Sequence, residues 1–221
     1  MVLNKPSGLP VQGGKGVKTS LDTILSKEFD PRPLLVHRLD RDTSGLILVA
    51  KTREAAAIFS SLLGERQQVG GISLVKQYLG VCTGIPKEEC GAIRLDLDVR
   101  GREKEAETLY RLLKQAACKM PDGADFSCSL MELELGTGRM HQLRRHLALI
   151  GHPLLGDDKY GDFPLNKSLR KAFGLKNLLL HASRLAIPPM PSLFPEGLDV
   201  SAPLPGYFAG FLDKWGTGES V

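Results

Sequence analysis

His37-Arg38-Leu39-Asp40-Arg41-Asp42-Thr43-Ser44-Gly45, followed at once by Leu46-Ile47-Leu48-Val49-Ala50, is the stretch on which the reading of this chain turns. An apolar lead-in, Pro33-Leu34-Leu35-Val36, runs into a dense polar loop and then into a β-rich apolar run. That is the pattern of a site carried on a strand-to-strand connection. Arg38, Asp40, Arg41 and Asp42 crowd two positive and two negative side chains into the loop. If any of it is buried, Asp40 or Asp42 needs a partner, because an isolated ionised carboxylate is costly to take out of water. Turn chemistry alone reads Asp42-Thr43-Ser44-Gly45 as a solvated turn and nothing more.

Toward the N-terminus, Val2-Leu3 reads as a short strand entering the loop Asn4-Lys5-Pro6-Ser7-Gly8-Leu9-Pro10, continued by Gly13, Gly14 and Gly16. The loop lacks G-x-x-x-x-G-K-[ST] and is not read as a nucleotide-binding loop. Thr19 or Ser20 can cap a helix with Leu21, Ile24 and Leu25 on its apolar face. Beyond the central stretch, Thr52 can cap a helix carrying Ile58, Phe59, Leu62 and Leu63. The strand Val75–Val81 has a period of two that puts Lys76, Tyr78 and Gly80 on one face. A lone tyrosine there would ordinarily be half-buried core.

Residues 85–105 are charged and glycine-broken, read as a solvated loop between hairpin strands. Lys114 to Asp125 reads as a loop, and Ser127 to Leu135 alternates as a strand with Met131, Leu133 and Leu135 to one side. In Gly136-Thr137-Gly138-Arg139-Met140-His141-Gln142-Leu143-Arg144-Arg145-His146-Leu147, the spacing of Leu143, Leu147 and Ile150 predicts a helix after Gly138, closed by Gly151-His152-Pro153. His141, Arg144, Arg145 and Ala148 lie away from that apolar stripe, which alone is compatible with a solvated basic face. A helix starting on a Gly-Thr-Gly turn also offers backbone N–H groups to a phosphate. Asn166 to Leu175 is a basic insertion with Lys167, Arg170 and Lys171, followed by Lys176, either a cationic rim for an anionic partner or a plain surface helix. Leu178–Leu185 reads as a buried strand, and Phe208, Phe211, Leu212 and Trp215 mark one side of a terminal helix.

Composition narrows the class without choosing it. With 221 residues, 42% hydrophobic and 24% charged, the chain is an ordinary globular one that can bury a sizeable single core. A net charge of +4 permits an anionic partner without requiring one. Cys82, Cys90, Cys118 and Cys128 form no C-x-x-C pair and no zinc-like spacing with the five histidines, so no metal is expected and the thiols read as reduced, in a cytoplasmic setting. No signal segment and no apolar run of membrane-spanning length is visible.

The string His37 to Leu46 resembles, without interruption over ten residues, the central motif of the RluA-like pseudouridine synthases. Four further strings agree in order: Asn4-Lys5-Pro6-Ser7-Gly8-Leu9; Lys76-x-Tyr78 followed by Val81; Gly138-Arg139 through His146-Leu147, with Gly151-His152-Pro153-Leu154-Leu155-Gly156-Asp157-Asp158-Lys159-Tyr160-Gly161-Asp162; and Leu180-His181-Ala182. Ala106 to Leu113 also resembles that family's central strand, while Met140 stands where the family commonly has Thr or Ser. The RluC-like branch, acting on large-subunit ribosomal RNA, looks most similar.

The resemblance implies an α+β pseudouridine synthase fold, a mostly antiparallel bent sheet with flanking helices and a central active-site cleft, as one catalytic domain over residues 1–221. No S4-like RNA-binding module precedes it here, and the abrupt start suggests an excised core or a naturally short form. The implied reaction breaks the bond from uracil N1 to ribose C1′, turns the base and joins C5 to C1′. It needs no cofactor and no metal. Asp40 is then the catalytic carboxylate, kept ionised by Arg144, and Tyr78 stacks on the uracil. Arg38 is expected to fill the place of the extruded nucleotide, with Lys5, Lys76, Arg139, His141 and Gln142 as further RNA contacts. The expected partner is RNA, ribosomal first and transfer RNA as the alternative, with no membrane and a monomeric enzyme. The competing functions are a catalytically idle RNA-binding or ribosome-assembly factor on the same scaffold, and a serine hydrolase using Ser44, against which the absence of G-x-S-x-G counts.

Overall fold

The computed structural model describes residues 1–14, 16–63, 68–69, 72–120, 123–190 and 194–216. In chain order the elements are β1 (Val2–Lys5), α1 (Leu21–Glu28), β2 (Leu34–Leu35), β3 (Ser44–Ala50), α2 (Arg53–Leu62), β4 (Gln68–Val69), β5 (Ile72–Ser73) and β6 (Val75–Thr83). There follow β7 (Cys90–Arg94), β8 (Leu97–Asp98), β9 (Glu103–Lys104), β10 (Glu107–Lys119), β11 (Asp125–Leu135), α3 (Gln142–Leu149), α4 (Phe163–Phe173), β12 (Leu180–Ile187), β13 (Leu198–Ser201) and α5 (Gly206–Gly216). The fold is mixed α+β with mainly antiparallel strand pairing, as the family resemblance implies.

The chain forms two compact units, one of Met1–Gln77 with Ala182–Pro203, the other of Tyr78–His181 with Leu204–Val221. In the first, β3 lies between β1 and β12, β2 adds to β3, and β13 adds to β12. Every residue of β3 is buried, which is what a run of Leu46-Ile47-Leu48-Val49-Ala50 requires. Its core gathers Leu46, Leu48, Phe59, Leu62, Leu74, Leu185 and Ile187. Gly45 sits at φ 108°, and a Cβ there would come within 2.2 Å of the Ala182 carbonyl oxygen, so only glycine lets β3 start against β12. Both helix starts read from the sequence hold: Ser20 and Thr23 form a reciprocal cap on α1, and Thr52 accepts from Ala55 N–H on α2.

In the second unit the strand order is β6-β11-β10-β7, and the core holds Val81, Phe126, Cys128, Leu155, Leu169, Leu179, Phe208, Phe211 and Trp215. Two loop readings are corrected here. Lys114–Lys119 continues β10, pairing with Asp125–Leu130 beyond a register shift between Leu112 and Lys114. That bulge breaks the alternation that would have announced a strand. Within 85–105, β7 pairs with β10, and β8 with β9, as short strands. The basic insertion is the surface helix α4, capped by Asp162 and ended by Gly174 at φ 72°. Cys82, Cys90 and Cys128 are free thiols, while the side chain of Cys118 lies outside the described residues. Among the described residues no helix is long and apolar enough to cross a membrane.

Candidate active site

The Asp40 loop is fastened within the first unit on both sides of Asp40. On one side His37 Nε2 accepts the Leu48 N–H at 2.8 Å, which needs a neutral ring. Burial of the ring, reinforced by the nearby Lys76 charge, pushes its pKa down to about 3, so the bond persists across the physiological range. On the other side the ammonium of Lys5, 1% exposed, donates to the carbonyls of Pro6, Leu9 and Arg41 at 3.0, 2.9 and 2.9 Å. Gly8 N–H donates to Arg41 O at 2.9 Å, and Ser7 Oγ donates to Asp42 O at 2.8 Å. The Asn4–Leu9 string is therefore the brace of the aspartate loop. Burial pulls the Lys5 pKa down to about 8, while the charges of Asp42 and Asp40 oppose that fall. Lys5 thus sets a buried positive charge near both carboxylates.

Lys5, expected as an RNA contact, is in consequence an internal clamp. Arg38 is exposed beside the loop, and Asp40 is half-buried. Lys76 is buried on β6, and burial lowers its pKa to about 8. Of the expected site residues, the first unit holds Lys5, Arg38, Asp40 and Lys76. The second holds Tyr78, Arg139, His141, Gln142 and Arg144.

In the second unit the buried ring of Tyr78 extends from β6 on the strand face of Lys76. Helix α3 begins at Gln142, after His141 in the left-handed region at φ 53°. Gln142, expected as an RNA contact, is buried and fully engaged inside the chain. Its Oε1 accepts from Thr137 Oγ1 and Arg139 N–H, and its Nε2 donates to Glu107 O and Thr108 Oγ1. It fixes the Gly-Thr-Gly turn from which α3 starts. Arg139 donates to the Glu105 carbonyl at 3.0 Å.

Arg144, which helical spacing places away from the apolar stripe, is 4% exposed. Its Nε and Nη2 donate to Asp157 Oδ2 and Oδ1 at 2.8 and 2.7 Å, and Nη2 also reaches Asp158 Oδ1 at 3.2 Å. Burial alone would push the Asp157 carboxyl up; hydrogen bonds from Arg144 and from the N–H groups of Tyr160 and Lys159 outweigh it and hold the group below the usual carboxylate range. The Arg144 guanidinium lies 5.3 Å from the Tyr160 ring, whose hydroxyl is 3.1 Å from His141 Nδ1. Sequence reasoning quoted Asp157 and Tyr160 within a string but gave them no role. The available signal was a pair of aspartates directly after Leu154-Leu155-Gly156, since a carboxylate entering an apolar run needs a cation. Among the described residues no group of three or more metal-ligating side chains is present.

Residues 1–149 match the family model described as RNA pseudouridylate synthase. Among curated proteins, the "Ribosomal large subunit pseudouridine synthase C" of Rickettsia felis is 34% identical over 94% of this chain and 66% of its own length. That of Pasteurella multocida is 36% identical over 82% of this chain and 55% of its own length. The chain thus spans between about half and two thirds of these relatives. The solved structure of human RNA Pseudouridylate Synthase Domain Containing 4 superposes with a TM-score of 0.74 at 27% identity, covering 97% of this chain and 88% of that one. Motifs, strand order and these likenesses agree: the chain belongs to the RNA pseudouridylate synthase family.

Proposed function

We propose that this protein is an RNA pseudouridine synthase that isomerises uridines in large-subunit ribosomal RNA, with Asp40 as its catalytic carboxylate. The observation that carries the reading is the fastening of the Asp40 loop by a neutral His37 on one side and the Lys5 ammonium on the other. A loop with only a turn to make needs no buried lysine beneath it, whereas a carboxylate that must meet one atom of a substrate needs a fixed backbone.

The N1–C1′ bond of the uridine breaks, the base turns within the pocket, and C5 bonds to C1′. N1 gains a proton and the C5 hydrogen leaves as a proton, so the product is an isomer. Asp40 supports the electron-poor centre as nucleophile or counter-ion. Water must be kept out, because a glycosidase-like attack at C1′ would lose the base. The target uridine is extruded from its stem, Tyr78 stacks on it, and Arg38 takes up the vacated stacking position. Arg144 has five N–H donors, and within its own unit Asp157 and Asp158 accept from Nε and Nη2. Arg139 and His141 at the entry to α3, with Lys76, contact the RNA backbone. We read the enzyme as a cytoplasmic monomer.

The test follows from the fate of the C5 hydrogen. RNA labelled with tritium at uridine C5, prepared from cells lacking the gene, should release tritium with the wild-type protein. Asp40→Asn should bind that RNA and release none. Turnover by that variant would overturn the assignment, and binding without turnover by the wild type would favour the idle scaffold.

A further inference from the structure

We propose that the outer face of α4 is a further contact surface for the substrate RNA: Lys167, Arg170 and Lys171 take the phosphates of an unpaired stretch, and Phe163 lies against one of its bases. The inference rests on the RNA substrate proposed above, and its own evidence lies within the second unit.

The chain's 29 lysines and arginines exceed its 25 aspartates and glutamates by four. From Phe163 to His181 there are four cations, Lys167, Arg170, Lys171 and Lys176, and no acid. The rest of the sequence therefore balances to zero, and the whole formal net charge of +4 sits in this segment. An ordinary solvated helix face interleaves both signs, because an acid three or four residues from a lysine supports the helix. Helix α4 departs from that pattern. The side chains of Lys167, Arg170, Lys171 and Lys176 are exposed and make no hydrogen bond or ion pair among the described residues.

Helical spacing puts Leu165, Leu169, Ala172 and Phe173 on one stripe, packed into the core with Phe208 and Phe211. Phe163, Lys167, Arg170 and Lys171 follow the opposite stripe, and Phe163 is 57% exposed. Both ends of the helix are fixed: Asp162 accepts the Leu165 N–H at 2.9 Å, and Gly174 closes the last turn. The face is thus presented on a rigid support. Arg170 and Lys171 gain from the carbonyl end of the helix, but mid-helix Lys167 and the bare Phe163 do not, so helix stability does not account for the stripe. Phosphates supply the missing negative charge, and an aromatic ring among cations lets a base stack while its backbone is neutralised. One ring is too little apolar area to seat a helix in a lipid surface, yet it is enough for one base.

The test separates charge from stacking in the full chain, with the tritiated RNA described above and binding measured across a series of KCl concentrations. The triple variant Lys167→Gln, Arg170→Gln, Lys171→Gln should flatten the slope of log affinity against log salt by about 2, at roughly 0.7 for each single-strand phosphate. Phe163→Ala should weaken binding by about tenfold with the slope unchanged. In both, the loss should lie in affinity, with single-turnover tritium release at saturating RNA within about twofold of wild type. Should the triple variant not fold, Lys167→Gln alone decides it, by a slope change of about 0.7. Unchanged affinity and slope would make α4 an ordinary solvated face, and a changed slope beside a silent Phe163→Ala would mean attraction for any polyanion. Capture of the wild type by phosphatidylserine vesicles, lost in the triple variant while RNA binding persists, would assign the face to lipid. Each of these three results overturns the proposal. A wild type that binds through α4 but releases no tritium defeats the proposed function and leaves this surface standing, whereas one that turns over with an affinity indifferent to α4 defeats only this inference.

Discussion

The Nε edge of Arg144 and the carboxylate of Asp157 face one another with both hydrogen bonds formed, at 2.8 and 2.7 Å, inside the second unit. An arginine whose helical spacing alone was compatible with a solvated face is thereby half of a buried pair.

Breaking that pair from one side is expected to be costly. Arg144→Met leaves a buried, uncompensated Asp157 and should lower unfolding stability by about 3–5 kcal/mol. Adding Asp157→Leu should recover most of that loss, because two apolar side chains carry no desolvation cost. The sign with pH follows from the depressed Asp157 carboxyl: its contribution is full above the ordinary value near 3.8 and is lost as pH falls through the folded value. Urea melts from pH 7 down to pH 3 should show an acid loss in the wild type that is smaller in the double variant. A single variant as stable as wild type would contradict the burial argument. Both should be inactive.

Much of the scaffold was legible because it follows local rules. Ser20 and Thr52 cap as read, Gly151 ends α3 at φ 82°, and the apolar run after Gly45 becomes the fully buried β3. What escaped was decided by partners distant in sequence. Lys114–Lys119 has no apolar alternation, and only its pairing with Asp125–Leu130 across a bulge makes it a strand. Lys5 and Gln142 carry polar groups that a linear reading places in solvent, yet backbone carbonyls and a turn enclose them. Asp157 stood within a recognised string, but its role needs the three-dimensional position of Arg144.

Two buried lysines of the first unit should respond in opposite ways to removal of charge. Lys5 has three carbonyl acceptors, whereas Lys76, 8% exposed, makes no hydrogen bond or ion pair among the described residues. Lys5→Met should orphan those carbonyls and destabilise the fold. Lys76→Met should stabilise it while weakening RNA binding and reducing the slope of log affinity against log salt by about one. Lys76 has a folded pKa near 8 against 10.5 unfolded, so its burden on stability is full below about 8 and fades as pH climbs to 10.5. The wild type should therefore gain stability over that window more steeply than Lys76→Met. A Lys76→Met protein that melts lower and binds RNA normally would make this lysine structural.

His37 offers the corresponding test on the acid side. Its neutral ring accepts the Leu48 N–H, and its pKa is pushed to about 3 from an ordinary 6.5. The folded state therefore binds fewer protons than the unfolded one below about 6.5. The stability this bond contributes is full above that value and falls steadily as pH drops toward 3. His37→Leu leaves the Leu48 N–H without its acceptor beside the Asp40 loop, which should cost about 1–3 kcal/mol at pH 7. The same substitution removes the proton linkage, so the gap between variant and wild type should narrow as pH falls from 6.5 to 4. Denaturant midpoints at intervals across that range give the answer: a gap that stays constant would mean that His37 acts by packing alone, and a gap that widens would mean that the ring takes up its proton in the folded state.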